Sequence, residues 1–126
     1  MIRVRTRTLL ALAATTAVAT LGLGASAFAS QTATKVTIKG DNGDYYGYVK
    51  SSKSSCESNR KVEVFKLKGS SPNPGNDQKI GSDIAQPNGP DGMWSIGNSG
   101  FKHGKFYARV KQTSKCATDF SKVIQR

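Results

Sequence analysis

Seven stretches of six to eight residues, rich in β-branched and aromatic side chains, alternate with clusters of Gly, Asn, Asp, Pro and Ser. They are TKVTIK (34–39), YYGYVKS (45–51), KVEVFKLK (61–68), QKIGSDIA (78–85), MWSIGN (93–98), FYARVKQ (106–112) and DFSKVIQ (119–125). In the first, Val36 and Ile38 point one way while Lys35, Thr37 and Lys39 point the other; in the second, Tyr45, Gly47 and Val49 oppose Tyr46, Tyr48 and Lys50. KVEVFKLK changes phase between Val64 and Phe65, which predicts a bulge or a central strand buried on both faces. In QKIGSDIA, a weaker strand, Ile80 and Ile84 fall in phase. Turns or loops are expected at 40–44, 69–77, 87–92 and 97–105. Short strands punctuated this often build an all-β sandwich: about seven antiparallel strands in Greek-key order, transthyretin-like or Ig-like.

The first 29 residues stand apart. Arg3, Arg5 and Arg7 precede an alanine-rich apolar run that ends in Ala27-Phe28-Ala29, the small-x-small pattern of secretory cleavage, so cleavage is expected between Ala29 and Ser30. The alternative is an uncleaved amino-terminal anchor. The remainder, residues 30–126, is one domain without a second apolar run, and it holds a single leucine, Leu67. Setting aside the three leader arginines leaves sixteen basic residues against eight acidic ones. Export puts Cys56 and Cys116 in an oxidising compartment, where two cysteines most simply form one bridge.

Four motifs carry a resemblance. YGYVKS, KVEVFKL, IGSD leading to DGMWSI, and GKFYARV make residues 45–124 similar to carboxypeptidase regulatory-like domains, a branch of the transthyretin-like (prealbumin-like) β-sandwich superfamily. The resemblance implies a sandwich in which Asp91-Gly92 turns the chain between neighbouring strands. It implies no activity of its own. Under it, Trp94 and Ile96 face inward, as do Phe106, Ala108 and Val110. The lone tryptophan then belongs to the core rather than to a stacking platform.

Catalytic patterns are lacking. His103 is the only histidine, set in the loop KHGK, and neither a Gly-x-Ser-x-Gly elbow, a His-Glu-x-x-His pair nor a phosphate-binding glycine loop occurs. Hydroxyisourate hydrolases and intradiol dioxygenases, enzymes on related sandwiches, each need a second histidine. Asp41-Asn42-Gly43-Asp44 has the oxygen-rich look of a calcium loop but lacks the twelve-residue pattern ending in glutamate, and the same residues make tight turns. Glu63, flanked by valines, could support an internal Lys–Asn isopeptide link, but the last strand offers no asparagine. No enzyme, metal or cofactor is expected.

Charge gives the remaining signal. Lys105, Tyr107, Arg109 and Lys111 are predicted to share one outward face, and Tyr46, Tyr48 and Lys50 a second. Such surfaces suit anionic partners such as wall polymers, uronic acids or lipid headgroups. The simpler reading, favoured because no basic run is longer than two and the charges are spread along the chain, is that strand lysines keep a small sandwich soluble and block edge-to-edge pairing. The expected function is a secreted, non-catalytic module, extracellular or attached to the cell surface, that binds anionic or glycan polymers. A protein partner is also open; nucleic acid fits poorly with export. The alternative is a secreted effector, a protease inhibitor presenting loop 69–77 or a cationic antimicrobial protein.

Overall fold

The computed structural model describes residues 30–126; the leader and the Ala29 side of the cleavage point lie outside the described residues. Ten strands form two antiparallel sheets. They are β1 (Thr34–Val36), β2 (Lys39–Asp41), β3 (Asp44–Ser51), β4 (Lys61–Lys66), β5 (Gln78–Ile84), β6 (Gln86–Asn88), β7 (Asp91–Ile96), β8 (Lys105–Val110), β9 (Asp119–Phe120) and β10 (Ile124–Gln125). In the first sheet β1 and β2 lie end to end along β3, followed by β7 and β6. The second sheet runs β10, β8, β4, β5, with β9 also on β8. Among the described residues no helix is long and apolar enough to cross a membrane.

The core follows the alternation. Val36, Ile38, Tyr45 and Val49 from the first sheet meet Val62, Val64, Phe106, Ala108 and Val110 from the second, and Trp94 is 1% exposed among them. The Tyr45 and Phe106 rings meet at 4.7 Å, and the buried Tyr45 hydroxyl donates to the Phe101 carbonyl at 2.6 Å. The phase change in the third stretch has both expected causes. Register slips between Val64 and Phe65, and β4 lies between β5 and β8 with Val62, Glu63, Val64 and Phe65 all buried.

Ten strands replace the expected seven because two stretches break and one turn pairs. Between β1 and β2 the register runs on, Val36 opposite Val49 and Lys39 opposite Tyr46, but the Thr37 carbonyl presses onto Gly47, where a Cβ would stand 2.0 Å from its oxygen. Between β9 and β10 the buried Ser121 hydroxyl takes the Ala108 N–H at 2.8 Å, substituting for a ladder bond. The expected 87–92 turn is shorter than the sequence suggested. Asn88 pairs with Asp91, Gly89 (φ 59°) and Pro90 make the reversal, and Asp91 and Gly92 already belong to β7. A glycine at the first central position fits a two-residue hairpin loop. Ile84 is a further correction. The slip next to Lys79 turns Ile80 toward the core, while Ile84, paired with Lys61, is 43% exposed.

Three connections cross between sheets, and two of them, β3–β4 and β5–β6, meet at one end of the sandwich. The chain passes from β5 to β6 through Ala85 alone, whose N–H donates to the Arg60 carbonyl and whose carbonyl accepts from Asn59, both at 2.8 Å. Cys56, in a short 3-10 turn (Ser54–Cys56), is bridged to Cys116 in the β8–β9 connection. Beneath them Arg60, 1% exposed, donates to the carbonyls of Cys56, Lys111 and Ala117 and to the Thr34 hydroxyl, at 2.7 to 3.0 Å. Carbonyl dipoles rather than a carboxylate hold this buried guanidinium, so its charge acts as a four-way clamp.

Candidate functional site

The two expected surfaces come out very differently. On β8 the Lys105–Lys111 stripe is not a free face: Lys105 and Lys111 are exposed, Arg109 is half-buried, and Tyr107 is 0% exposed. Tyr107 does lie on the outer side of the second sheet, opposite Phe65, but the β4–β5 loop covers it. Its ring stacks on Phe65 at 5.4 Å and approaches Phe120 at 6.1 Å, and its hydroxyl donates to Asp77 at 2.5 Å. Arg109 lies over the Phe65 ring at 5.3 Å and donates to Glu63 at 2.7 Å; Lys79 reaches the other Glu63 oxygen at 2.9 Å. Burial works against the Glu63 charge, but hydrogen bonds from Arg109 and Lys79 outweigh it and hold the carboxyl below its ordinary range. Glu63 is thus a buried acid, as its valine neighbours suggested, spent on an ion-pair network.

Asp77 organises the covering loop. Besides the Tyr107 hydroxyl it accepts the N–H groups of Lys68 (2.9 Å) and Asn73 (2.7 Å). Desolvation alone would raise the Asp77 carboxyl, yet these bonds and the Lys68 charge hold it below the usual value, while burial and the bond to Asp77 push the Tyr107 hydroxyl up. A carboxylate depressed in the folded state stabilises above its unfolded pKa and loses that contribution as pH falls through the folded one. Asp77→Asn is therefore expected to cost about 1–2 kcal/mol near neutral pH, the scale of hydrogen bonds to a charged group. Urea unfolding at pH 7, 5, 4 and 3 should show the gap to wild type closing below about pH 4.

The face on β3 is open as expected. Tyr46 and Tyr48 are 42% and 39% exposed, and Met93, opposite Tyr48, is 43% exposed. Lysines frame them: Lys39 pairs with Tyr46 and Lys35 with Lys50, and the Lys50 ammonium lies 5.9 Å from the Tyr48 ring centre and 3.9 Å from Asp91. The result is an exposed aromatic centre bordered by Lys35, Lys39 and Lys50, with one carboxylate, Asp91, beside Lys50.

Around these faces are three shallow hollows. One of about 220 Å³ lies by Arg109, Lys111 and the exposed ring of Phe120, and another of about 430 Å³ holds His103 beside Lys102, Asn42 and Arg126. A third, of about 250 Å³, contains Lys39, Tyr46 and Lys122. Asp41-Asn42-Gly43-Asp44 forms the tight β2–β3 turn, with Asn42 and Gly43 at φ 49° and 92°, and Asp44 accepts the Asn98 N–H at 2.8 Å. Among the described residues no three His, Cys, Asp or Glu side chains converge as metal ligands.

Sequence reasoning omitted Met93 and Phe120, although parity with Trp94 puts Met93 outward. Lys35 and Lys39 were read as outward but not joined to the tyrosines, because nothing in the chain paired stretch 34–39 with 45–51. No family model, curated protein or solved structure matches this chain.

Proposed function

We propose that the chain is a secreted, non-catalytic β-sandwich module that binds anionic glycan polymers through the outer face of its first sheet. The observation that carries this reading is the side-by-side exposure of Tyr46 and Tyr48 with Lys35, Lys39 and Lys50 around them. Ring faces can stack on pyranose rings while lysines meet carboxylates or sulfates. By contrast, the Lys105–Lys111 stripe puts its aromatic and its arginine into internal contacts. The disulfide suits the oxidising compartment that the leader implies. Of the fold types set out above, the sheet order favours the immunoglobulin arrangement: taking β1/β2 and β9/β10 each as one strand, the sheets correspond to ABED and to CFG with one added edge strand. The effector alternative has no comparable observation behind it: Asp77 fixes the 69–77 loop to Lys68, Asn73 and Tyr107, and the loop holds no cluster of basic or apolar side chains.

Retention of the purified protein on polygalacturonate and on neutral dextran, across a salt series, tests the reading. Wild type should be held by polygalacturonate and released by salt. Tyr46→Ala with Tyr48→Ala should weaken binding by about tenfold per ring, ~1.4 kcal/mol each, while the lost cross-strand contacts lower the melting temperature by only about 5–10 °C and leave the fold intact at 25 °C. Unchanged retention in that pair would refute the assignment of the face.

A further inference from the structure

Two of the hollows share a wall. Arg126 lines both the one holding Lys39, Tyr46 and Lys122 and the one holding Asn42, Lys102 and His103. Together they follow the side of the sandwich where β2 and β10 are the edge strands, beginning at the tyrosine face and ending at the loop between β7 and β8. Lys39, Lys102 and Lys122 are all exposed, and no carboxylate side chain lines either hollow. Nearby acids have other partners: Asp44 accepts the Asn98 N–H and Asp119 the Val36 N–H, both at 2.8 Å. Asp41, exposed beyond Gly40, lines neither hollow.

Magnitude decides what such a groove can hold. An exposed ion pair contributes only about 0.2–1 kcal/mol, so a single small anion would not stay. A chain carrying a charge on each repeat engages several lysines at once, and each further contact is then intramolecular. Tyr46 belongs to both the face and the groove, so a sugar ring stacked there continues directly toward Lys39 and Lys122. We infer that an acidic polysaccharide crosses from the Tyr46–Tyr48 face over the β2 edge and runs along the Lys39–Lys122–Lys102 groove toward His103. This rests on the reading of the face given above and adds the polymer's path and charge. Carboxylate and sulfate sugars offer the same chemistry to these lysines.

The test compares two triple variants that remove equal charge: Lys39→Gln/Lys102→Gln/Lys122→Gln in the groove, and Lys61→Gln/Lys105→Gln/Lys111→Gln on the second sheet. All six lysines are exposed, so both proteins should keep the wild-type melting temperature. Binding is titrated with polygalacturonate, dextran sulfate, dextran and a 20-nucleotide oligothymidylate. The groove variant should lose about 30-fold in affinity for polygalacturonate, dextran sulfate or both, with a flatter salt dependence, and the control variant less than about threefold. Which acidic polymer wild type holds identifies carboxylate or sulfate. Equal losses in the two triples would reduce the effect to net charge and overturn the groove. Tighter, groove-dependent binding of oligothymidylate would overturn the polymer class. Should the groove variant bind acidic polysaccharide like wild type while the tyrosine pair does not, the groove fails and the face stands. If wild type binds neither acidic polymer, the face reading has failed first.

Discussion

Gly92→Ala is expected to lower the melting temperature by about 15–25 °C, the shift that a loss of ~3–4 kcal/mol produces in a domain of this size. The added methyl would stand 1.8 Å from the Glu57 carbonyl oxygen and 2.7 Å from its carbon. Neither neighbour is a flexible side-chain end. Glu57 belongs to the crossing held by the disulfide at Cys56, by Arg60 and by the Asn59–Ala85 bond, so relief requires moving a backbone clamped on three sides. Ordinary overpacking costs about 1–3 kcal/mol, and a clash with fixed backbone lies beyond that range. Gly69→Ala provides the control: nothing stands within 4 Å of the added carbon, and its melt should stay within a few degrees of wild type. Thermal unfolding followed by circular dichroism decides the matter. A Gly92→Ala melt indistinguishable from wild type would mean that the 52–60 crossing is looser than its contacts indicate.

Replacing Cys56 and Cys116 with alanine is the second large effect. The bridge closes a separation of 60 residues, which in the chain-entropy view is worth about 4 kcal/mol, or ~15–30 °C in melting temperature. That stabilisation acts mostly through the unfolded chain. Arg60 keeps its bonds to Cys56, Lys111, Ala117 and Thr34 without the sulfur link, so the native arrangement of this end should persist. The expected signature is a native near-ultraviolet spectrum at 15 °C with a much lower midpoint. Adding Arg60→Met to the cysteine-free protein should lower the midpoint much further, because only the backbone bonds of Ala85 to Asn59 and Arg60 then hold that end. A cysteine-free protein that melts within about 5 °C of wild type would assign the stability of this end to Arg60 and the Ala85 backbone bonds instead of the disulfide.

The glycine at 92 shows where sequence reading stops. Alternation put Tyr45 with Val49 on one face and Phe106 with Val110 on another, and the sandwich reading turned Trp94, Phe106 and Val110 inward; all five are buried, and a one-residue slip would have exposed every one of them. The phase change at Val64–Phe65 was legible because a bulge leaves its mark within one strand. Asp91-Gly92, however, looks like a turn in any local window; that Gly92 is needed for close approach depends on Glu57, which is distant in sequence. Tyr107 failed for the same reason. Its parity places it on the outer side of the sheet, as expected, but its cover comes from Asp77 across a loop whose composition suggested only irregularity. Period-2 patterns assign a side, not what lies over it. Tyr46 and Tyr48 were read correctly because no later segment covers β3 on that side.

The most direct measurement is an NMR titration of the isotope-labelled protein with a galacturonate oligomer, following backbone amides. Shifts concentrated at Lys39, Tyr46, Tyr48 and Met93, fading in high salt, are the expected result. Shifts gathered instead at Arg109, Lys111 and Phe120, with the first sheet silent, would contradict the assignment of the working face.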